Sequence, residues 1–339
     1  MIARTHIEWT DRTWNPITGC SEVSPGCANC YAARFTATLL AKNPDYAGLA
    51  ILDENKKPRF TGELRFHGER IAEPMHWRKP SRVFVNSMSD LFHESVPNEW
   101  LDSIFAQMVN CPRHTFQILT KRPERMRAWC EELLRQGVMP LENVWLGVSV
   151  ENQRLANERI PVLLDTPAAI RFLSVEPLLG AVDLRAWLPR FTYWPHLDWV
   201  IAGGESGHNS RPMHPEWALS LRDQCAKFGV PFFFKQWGSW LPIVRHGFRP
   251  RNRAGTLHEL HMHRETEYGD VDELLYHAYP SDANDDHGPY WEMTWASKNH
   301  VSQRYLDGRT WNEFPPSLRE GDTESVAEGA SSAKAEAGA

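Results

Sequence analysis

From Arg82 to Phe234, short apolar runs alternate with segments whose apolar residues recur at helical spacing. V-F-V at 83–85, F-Q-I-L at 116–119, V-W-L-G-V at 144–148, I-R-F-L at 170–173, W-V-I-A at 199–202 and P-F-F-F at 231–234 read as strands. Between them, 99–109, 123–136, 153–164 and 216–228 read as helices. Pro97 and Asn98 open the first of these, and Gly137 and Gly229 close the second and the last. A shorter, proline-interrupted helical piece is predicted between the fourth and fifth strands, ending near Leu188. Ahead of this rhythm, T-H-I-E-W-T at 5–10 reads as a short strand and Tyr31–Lys42 as a helix with Phe35, Leu39 and Leu40 on one face. Residues 43–80 are rich in charge and proline and read as an irregular insertion.

The strands are continuous apolar runs, as expected where both faces of a parallel sheet are covered. Strand–helix alternation repeated this often predicts an α/β fold with a parallel sheet, either a partial or full (β/α) barrel or a doubly wound sheet. No G-x-G-x-x-G follows the first strand and no P-loop occurs, so dinucleotide and NTPase readings lack their fingerprint. Residues 1–242 are assigned to the barrel and its N-terminal loop, and 243–316 to a loop-rich C-terminal extension. Residues 317–339 are small and polar, too poor in apolar surface to offset the entropy of ordering, and are predicted to be disordered.

Composition narrows the class. The chain is 42% hydrophobic and 24% charged, within the range of globular domains. No run of 18 apolar residues predicts a membrane span, and the first residues lack the apolar core of a signal peptide, so a cytoplasmic location is expected. Cysteines in such a chain argue against a disulfide framework. A net charge of −6 gives no global attraction to nucleic acid or anionic lipid, though a local basic groove is compatible with it. The 15 tryptophans, Trp9 and Trp14 among them, are expected mainly in core packing.

The chemistry concentrates in G-C-S-E-V-S-P-G-C-A-N-C-Y-A, residues 19–32. Cys20, Cys27 and Cys30 form a C-x6-C-x2-C array around a Ser24-Pro25-Gly26 turn. Thiolates gathered on one loop suit a soft metal or an iron–sulfur cluster. Three cysteines leave one iron of a [4Fe–4S] cluster open, whereas a structural zinc would need a fourth ligand from elsewhere, such as one of 15 histidines. Polar residues also collect where the strands end: Asn86 to Asp90, Lys121-Arg122, Glu151, Glu176, Gly203-Gly204-Glu205 and Lys235. In βα barrels the site lies at this carboxyl end, and the cysteine loop opens onto the same mouth. Each residue also has a plain structural use. The glutamates could be first-turn helix acids, Gly203-Gly204 a turn, and Arg122, Arg125 and Arg127 a solvated helix face. His93, His208 and His214 are read as structural and assigned to no metal.

The cysteine loop feeding a parallel barrel resembles the radical S-adenosylmethionine (SAM) superfamily, although there the usual spacing is C-x3-C-x2-C and the aromatic precedes the last cysteine. Here Tyr31 follows Cys30. A closer resemblance is to a phage- and prophage-borne family of unknown function with the same loop. It is carried by I-E-W-T-D-R-T-W-N-P-I-T-G-C, L-T-K-R-P, N-V-W-L-G-V-S-V-E-N-Q, R-F-L-S-V-E-P-L-L-G, D-W-V-I-A-G-G-E-S-G, P-F-F-F-K-Q-W-G and L-D-G-R-T-W-N-E-F-P. The resemblance implies a [4Fe–4S] cluster on Cys20, Cys27 and Cys30, capped by SAM and reduced by a flavodoxin- or ferredoxin-like donor. Glu151, Glu176, Gly203, Gly204 and Glu205 are then expected at the cofactor. Asn86, Asp90, Lys121 and Lys235 are expected in substrate or proton handling. A nucleotide or nucleic acid is the expected substrate. The alternative is a non-catalytic module in which zinc or a cluster organises a surface for nucleic acid or a partner protein.

Overall fold

The computed structural model describes residues 5, 7–188, 195–207, 209–245, 274–276, 290–295 and 304–316. In chain order the first elements are β1 (Arg12–Trp14), β2 (Ile17–Thr18), α1 (Tyr31–Ala37), β3 (Ala50–Leu52), β4 (Pro58–Phe60) and β5 (Arg65–Phe66). The repeating part runs β6 (Arg82–Val85), α2 (Asn98–Asn110), β7 (Thr115–Thr120), α3 (Pro123–Arg135), β8 (Val144–Ser149), α4 (Gln153–Asp165), β9 (Ile170–Val175), β10 (Trp199–Gly203), α5 (Pro215–Phe228) and β11 (Phe232–Gln236). β12 (Trp240–Arg245), β13 (Leu274–Tyr276) and β14 (Tyr290–Trp295) form a separate antiparallel sheet in the order β12-β14-β13.

The main sheet has seven strands, all parallel, in the order β1-β6-β7-β8-β9-β10-β11. Because the order follows the chain, every crossover runs the same way and the helices fall on one face. The packing agrees. Val83, Val85, Ile118, Leu146, Val148, Leu173, Val200 and Phe232 share a core with helix residues such as Leu101, Met126, Leu155 and Ala218. The alternate strand residues Phe84, Trp145, Ile170, Phe172, Trp199, Ile201 and Phe233 form a second cluster that no helix residue joins. This excludes the doubly wound option. The second face is concave. Trp9 lies 4.7 Å from Phe84 on β6 and 6.3 Å from Trp199 on β10, ring centre to ring centre. In a flat sheet those strands would stand about 19 Å apart, so one indole reaches both only if the sheet curls. The fold is an α/β open half-barrel, the partial form of the expected barrel.

Several elements differ from expectation. The helix expected over Tyr31–Lys42 ends at Ala37, leaving Leu39 and Leu40 beyond it and Leu39 exposed. Among the described residues the first strand is β1 and not the expected 5–10 segment; Trp9 precedes it in a turn, buried among the inward-facing aromatics. The described stretch from the end of β9 to Leu188 forms no helix: Pro177 and Gly180 interrupt it, while Leu178, Val182, Leu184 and Leu188 are buried. Residues 43–80 contain short strands: β3 pairs with β4, and β5 pairs with β2. The helix caps follow the sequence. Asn152 accepts from Leu155 N at 3.1 Å at the start of α4, and Gly229 ends α5 in the left-handed region at φ 65°. Residues 317–339 and most of the extension lie outside the described residues, as does His208. Among the described residues no helix is long and apolar enough to cross a membrane.

Candidate functional site

The cysteine loop leaves β2 and crosses the carboxyl end of the sheet. Pro25–Cys27 make one 3-10 turn, closed by Cys27 N donating to Ser24 O at 2.9 Å, and α1 begins directly after Cys30. All three loop cysteines are free thiols and half-buried, whereas Cys111, Cys130 and Cys225 are buried in the helix-side core. Among the described residues, no three His, Cys, Asp or Glu side chains converge as ligands of a single ion.

Charged side chains from three strand ends hold the loop. At the end of β7, Arg122 donates through Nη2 to Ser21 O at 3.3 Å and Ser21 Oγ at 2.9 Å, and its Nη1 lies 4.0 Å from Cys20 Sγ. Its Nε binds both oxygens of Glu94, at 2.9 and 2.8 Å, and Nη1 binds Asp90 Oδ2 at 3.0 Å. After β8, the fully buried Glu151 accepts from Ser24 Oγ at 2.6 Å and pairs with Lys121 Nζ at 2.9 Å and Arg159 Nη1 at 3.4 Å. Gly26 packs against that carboxylate, and a Cβ there would lie 2.4 Å from Glu151 Oε1. After β10, Glu205 accepts from Asn29 Nδ2 at 2.8 Å and is paired with Arg211, which also donates to Pro25 O at 2.9 Å.

The expected site residues therefore divide. Glu151 and Glu205 spend their oxygens on the loop and its cations. Asp90 accepts from Thr120 Oγ1, Phe92 N, Lys121 N and Arg122 Nη1, which fixes the β7–α3 turn. Gly204 serves chain packing, since a Cβ there would meet Trp237 O at 1.9 Å. Glu176 and Lys235 instead face each other across the mouth at 2.6 Å, each about one-fifth exposed, with Gly203 alongside. Asn86 sits in the left-handed region at φ 59°, a conformation Asn tolerates. Its Oδ1 accepts from Ile17 N at 3.3 Å, and its buried Nδ2 has no acceptor among the described residues. His93 bonds Ser21 Oγ at 2.8 Å and His214 caps α5, both structural uses.

Burial and the facing Asp90 push the Cys20 thiol up to about 12, against the opposing pull of Arg122. Burial also raises Cys30, opposed by the N–H groups of Ala33 and Ala32. Burial alone would lower the pKa of Lys121, but Glu151 and Cys27 outweigh it and the pKa rises, so this ammonium stays charged beside the loop. A bound cation reverses this logic for the thiols, because it takes the place of the proton.

The sequence leaves Arg122 two places, a solvated helix face or the strand-end mouth, and its side chain, 6% exposed and bonded to Ser21, lies at the mouth. Sequence reasoning did not single out Arg159, Arg211 or Asn29. The available signal was weak: Arg159 lies eight residues after Glu151 and Arg211 six after Glu205, each in the segment that follows a strand-end acid.

Among solved structures, a mutant of spore photoproduct lyase is distantly similar, at 12% identity and a TM-score of 0.29. The match covers 64% of this chain and 53% of that one, about half the length of the relative. No curated protein matches the sequence. The lines of sequence that carry the loop, the strand ends and the C-terminal L-D-G-R-T-W-N-E-F-P lie within residues 4–315, which match a family described as proteins of unknown function, DUF5131, and the chain belongs to that family.

Proposed function

We propose that this protein is an iron–sulfur enzyme of the radical SAM type, with Cys20, Cys27 and Cys30 as the cluster ligands. The observation that carries this reading is the seating of three free, half-buried thiols over the carboxyl-end mouth of an open half-barrel, on a loop clamped from three strand ends. The donor set fits a cluster with one open iron. When bound, cluster and SAM together supply a 5′-deoxyadenosyl radical that takes hydrogen from a substrate. The chain's own part is to orient and exclude water. Glu176 and Lys235 offer opposite charges to a zwitterionic α-amino-carboxylate group, Gly203 leaves the wall bare beside them, and the buried Asn86 Nδ2 is a donor left unspent among the described residues. Glu151, Glu205, Lys121 and Asp90 act on the loop and the turn beneath it. Reduction calls for a flavodoxin- or ferredoxin-like donor.

The proposed substrate is a nucleotide or nucleic acid. Tyr31 and Phe35 follow Cys30 on the exposed face of α1, edge to face at 6.2 Å and each nearly half exposed. Arg34 between them makes no ion pair among the described residues. Aromatic faces with an adjacent guanidinium suit base stacking.

Anaerobic purification with iron, sulfide and zinc analysis is the first test. About four irons per chain are expected, lost on changing any of Cys20, Cys27 or Cys30 to Ala. Glu176→Gln should keep the iron and the melting temperature but weaken SAM binding in calorimetry or abolish 5′-deoxyadenosine formation. Tyr31→Ala with Phe35→Ala should weaken binding of a single-stranded oligonucleotide. Stoichiometric zinc without iron or sulfide would replace this reading with a zinc-organised binding module. A reduced cluster that neither binds nor cleaves SAM would end the radical reading.

A further inference from the structure

We propose that Arg122 is a positioning residue for the cysteine loop, serving both as the latch on its first limb and as a fixed positive charge beside Cys20. A guanidinium carries five N–H donors in one rigid plane. Here each has a partner. Nε takes the Glu94 carboxylate, Nη1 takes Asp90 and faces Cys20 Sγ at 4.0 Å, and Nη2 takes the carbonyl and hydroxyl of Ser21. Only the contacts to Cys20 and Ser21 are long-range links to the loop, spanning 102 and 101 positions. Asp90 and Glu94 aim the guanidinium from below, and Asp90 is itself fixed by Thr120 and two backbone N–H groups. The other side of Ser21 Oγ is held by His93, so the residue after Cys20 is gripped from two directions. Glu94 is 65% exposed and its charge is screened by water, whereas the guanidinium is buried against the sulfur. Lys121 occupies the opposite flank, beside Glu151 and Cys27. The consecutive pair Lys121-Arg122 thus straddles the loop.

This inference rests on the cysteines holding a metal centre. Groups that orient ligands and place charge near sulfur set both affinity and reduction potential. A positive charge at Cys20 favours the more negative, reduced centre and raises its potential. The test uses the full chain, reconstituted anaerobically, with potential read by spectroelectrochemistry. Arg122→Gln should retain iron and sulfide and shift the midpoint to more negative values. Arg122→Lys, which keeps the charge, should stay near wild type. An unchanged midpoint in Arg122→Gln overturns the proposal. If that variant fails to fold or load, Arg122→Lys decides: it keeps a charge but cannot hold both acceptors of Ser21, so iron lost to a chelator about tenfold more readily supports the proposal and equal retention overturns it. If the wild type holds zinc and no cluster, the radical SAM reading fails and Arg122 is judged by chelator competition. Arg122→Gln should then release zinc about tenfold more readily, and equal retention overturns the proposal.

Discussion

Single atoms decide how the cysteine loop sits. Gly26 touches the Glu151 carboxylate where no side chain fits, and Glu151 cannot retreat because Lys121, Arg159 and Ser24 hold both its oxygens. Gly26→Ala is therefore expected to push the loop off its seat, costing roughly 1–3 kcal/mol as overpacking does and lowering metal retention. Urea unfolding with metal analysis checks this, and a variant unchanged in both would show that the loop does not rest on Glu151. The three cysteines were legible because their chemistry is local: eleven residues contain all of them. The residues that serve them were not. Arg122 reads as one member of a basic cluster, and nothing near it in sequence announces Ser21, 101 positions away. Glu205 was legible as an acid at a strand end, yet its work is defined by Asn29, 176 positions earlier. A hydrogen bond of this kind is a property of two distant stretches, and neither stretch alone carries its signal.

The same division holds for whole elements. Strands β7 to β11 and helices α2 to α5 fall where apolar runs, caps and closing glycines put them, because each is stabilised by its own periodic face. The failures occur where an element's face is set by one contact. T-H-I-E-W-T alternates like a strand, but Trp9 is drawn into the concave aromatic cluster before the strand begins, and β1 carries only one fully buried residue, Trp14. A late segment completes the opposite edge of the sheet. Phe234 N donates to Trp311 O at 2.9 Å, Glu313 N to Phe232 O at 3.2 Å, and Trp199 Nε1 to Glu313 O at 2.8 Å. Phe314 then packs on Trp199 and Phe233, 5.1 and 5.5 Å between ring centres, with Arg82 over its face. Phe314→Ala should cost about 2 kcal/mol, below the ~3–5 kcal/mol of a fully buried ring because this one is half-buried. An unchanged urea midpoint would show that the segment does not dock there.

At the scale of the molecule, closure could not be read from the sequence, since it depends on whether first and last strands meet. The structure leaves β1 and β11 as opposite edges of an open half-barrel, with the second edge covered by residues 311–313. Stability against pH is also a property of the whole chain. His67 and His114 are nearly inaccessible, and burial first, with nearby arginines, lowers both below the ordinary 6.5. They are neutral when folded and take up protons on unfolding. Their contribution is thus fully present above the unfolded value and is lost as pH falls from there toward the lowered native values. The urea midpoint should fall between about pH 7.5 and about pH 5.5, and His114→Gln should flatten that slope; an unaltered slope would remove His114 from the account. The covered edge has a consequence in time. The partner of β11, which ends at Gln236, begins at Trp311, 75 residues later. At ~5–20 residues per second, a ribosome needs roughly 4–15 s to add that stretch. For that interval the nascent half-barrel has all seven strands of its main sheet, but its apolar last strand, paired with β10 on one side, stands open along its outer edge, the kind of edge that invites pairing with another chain.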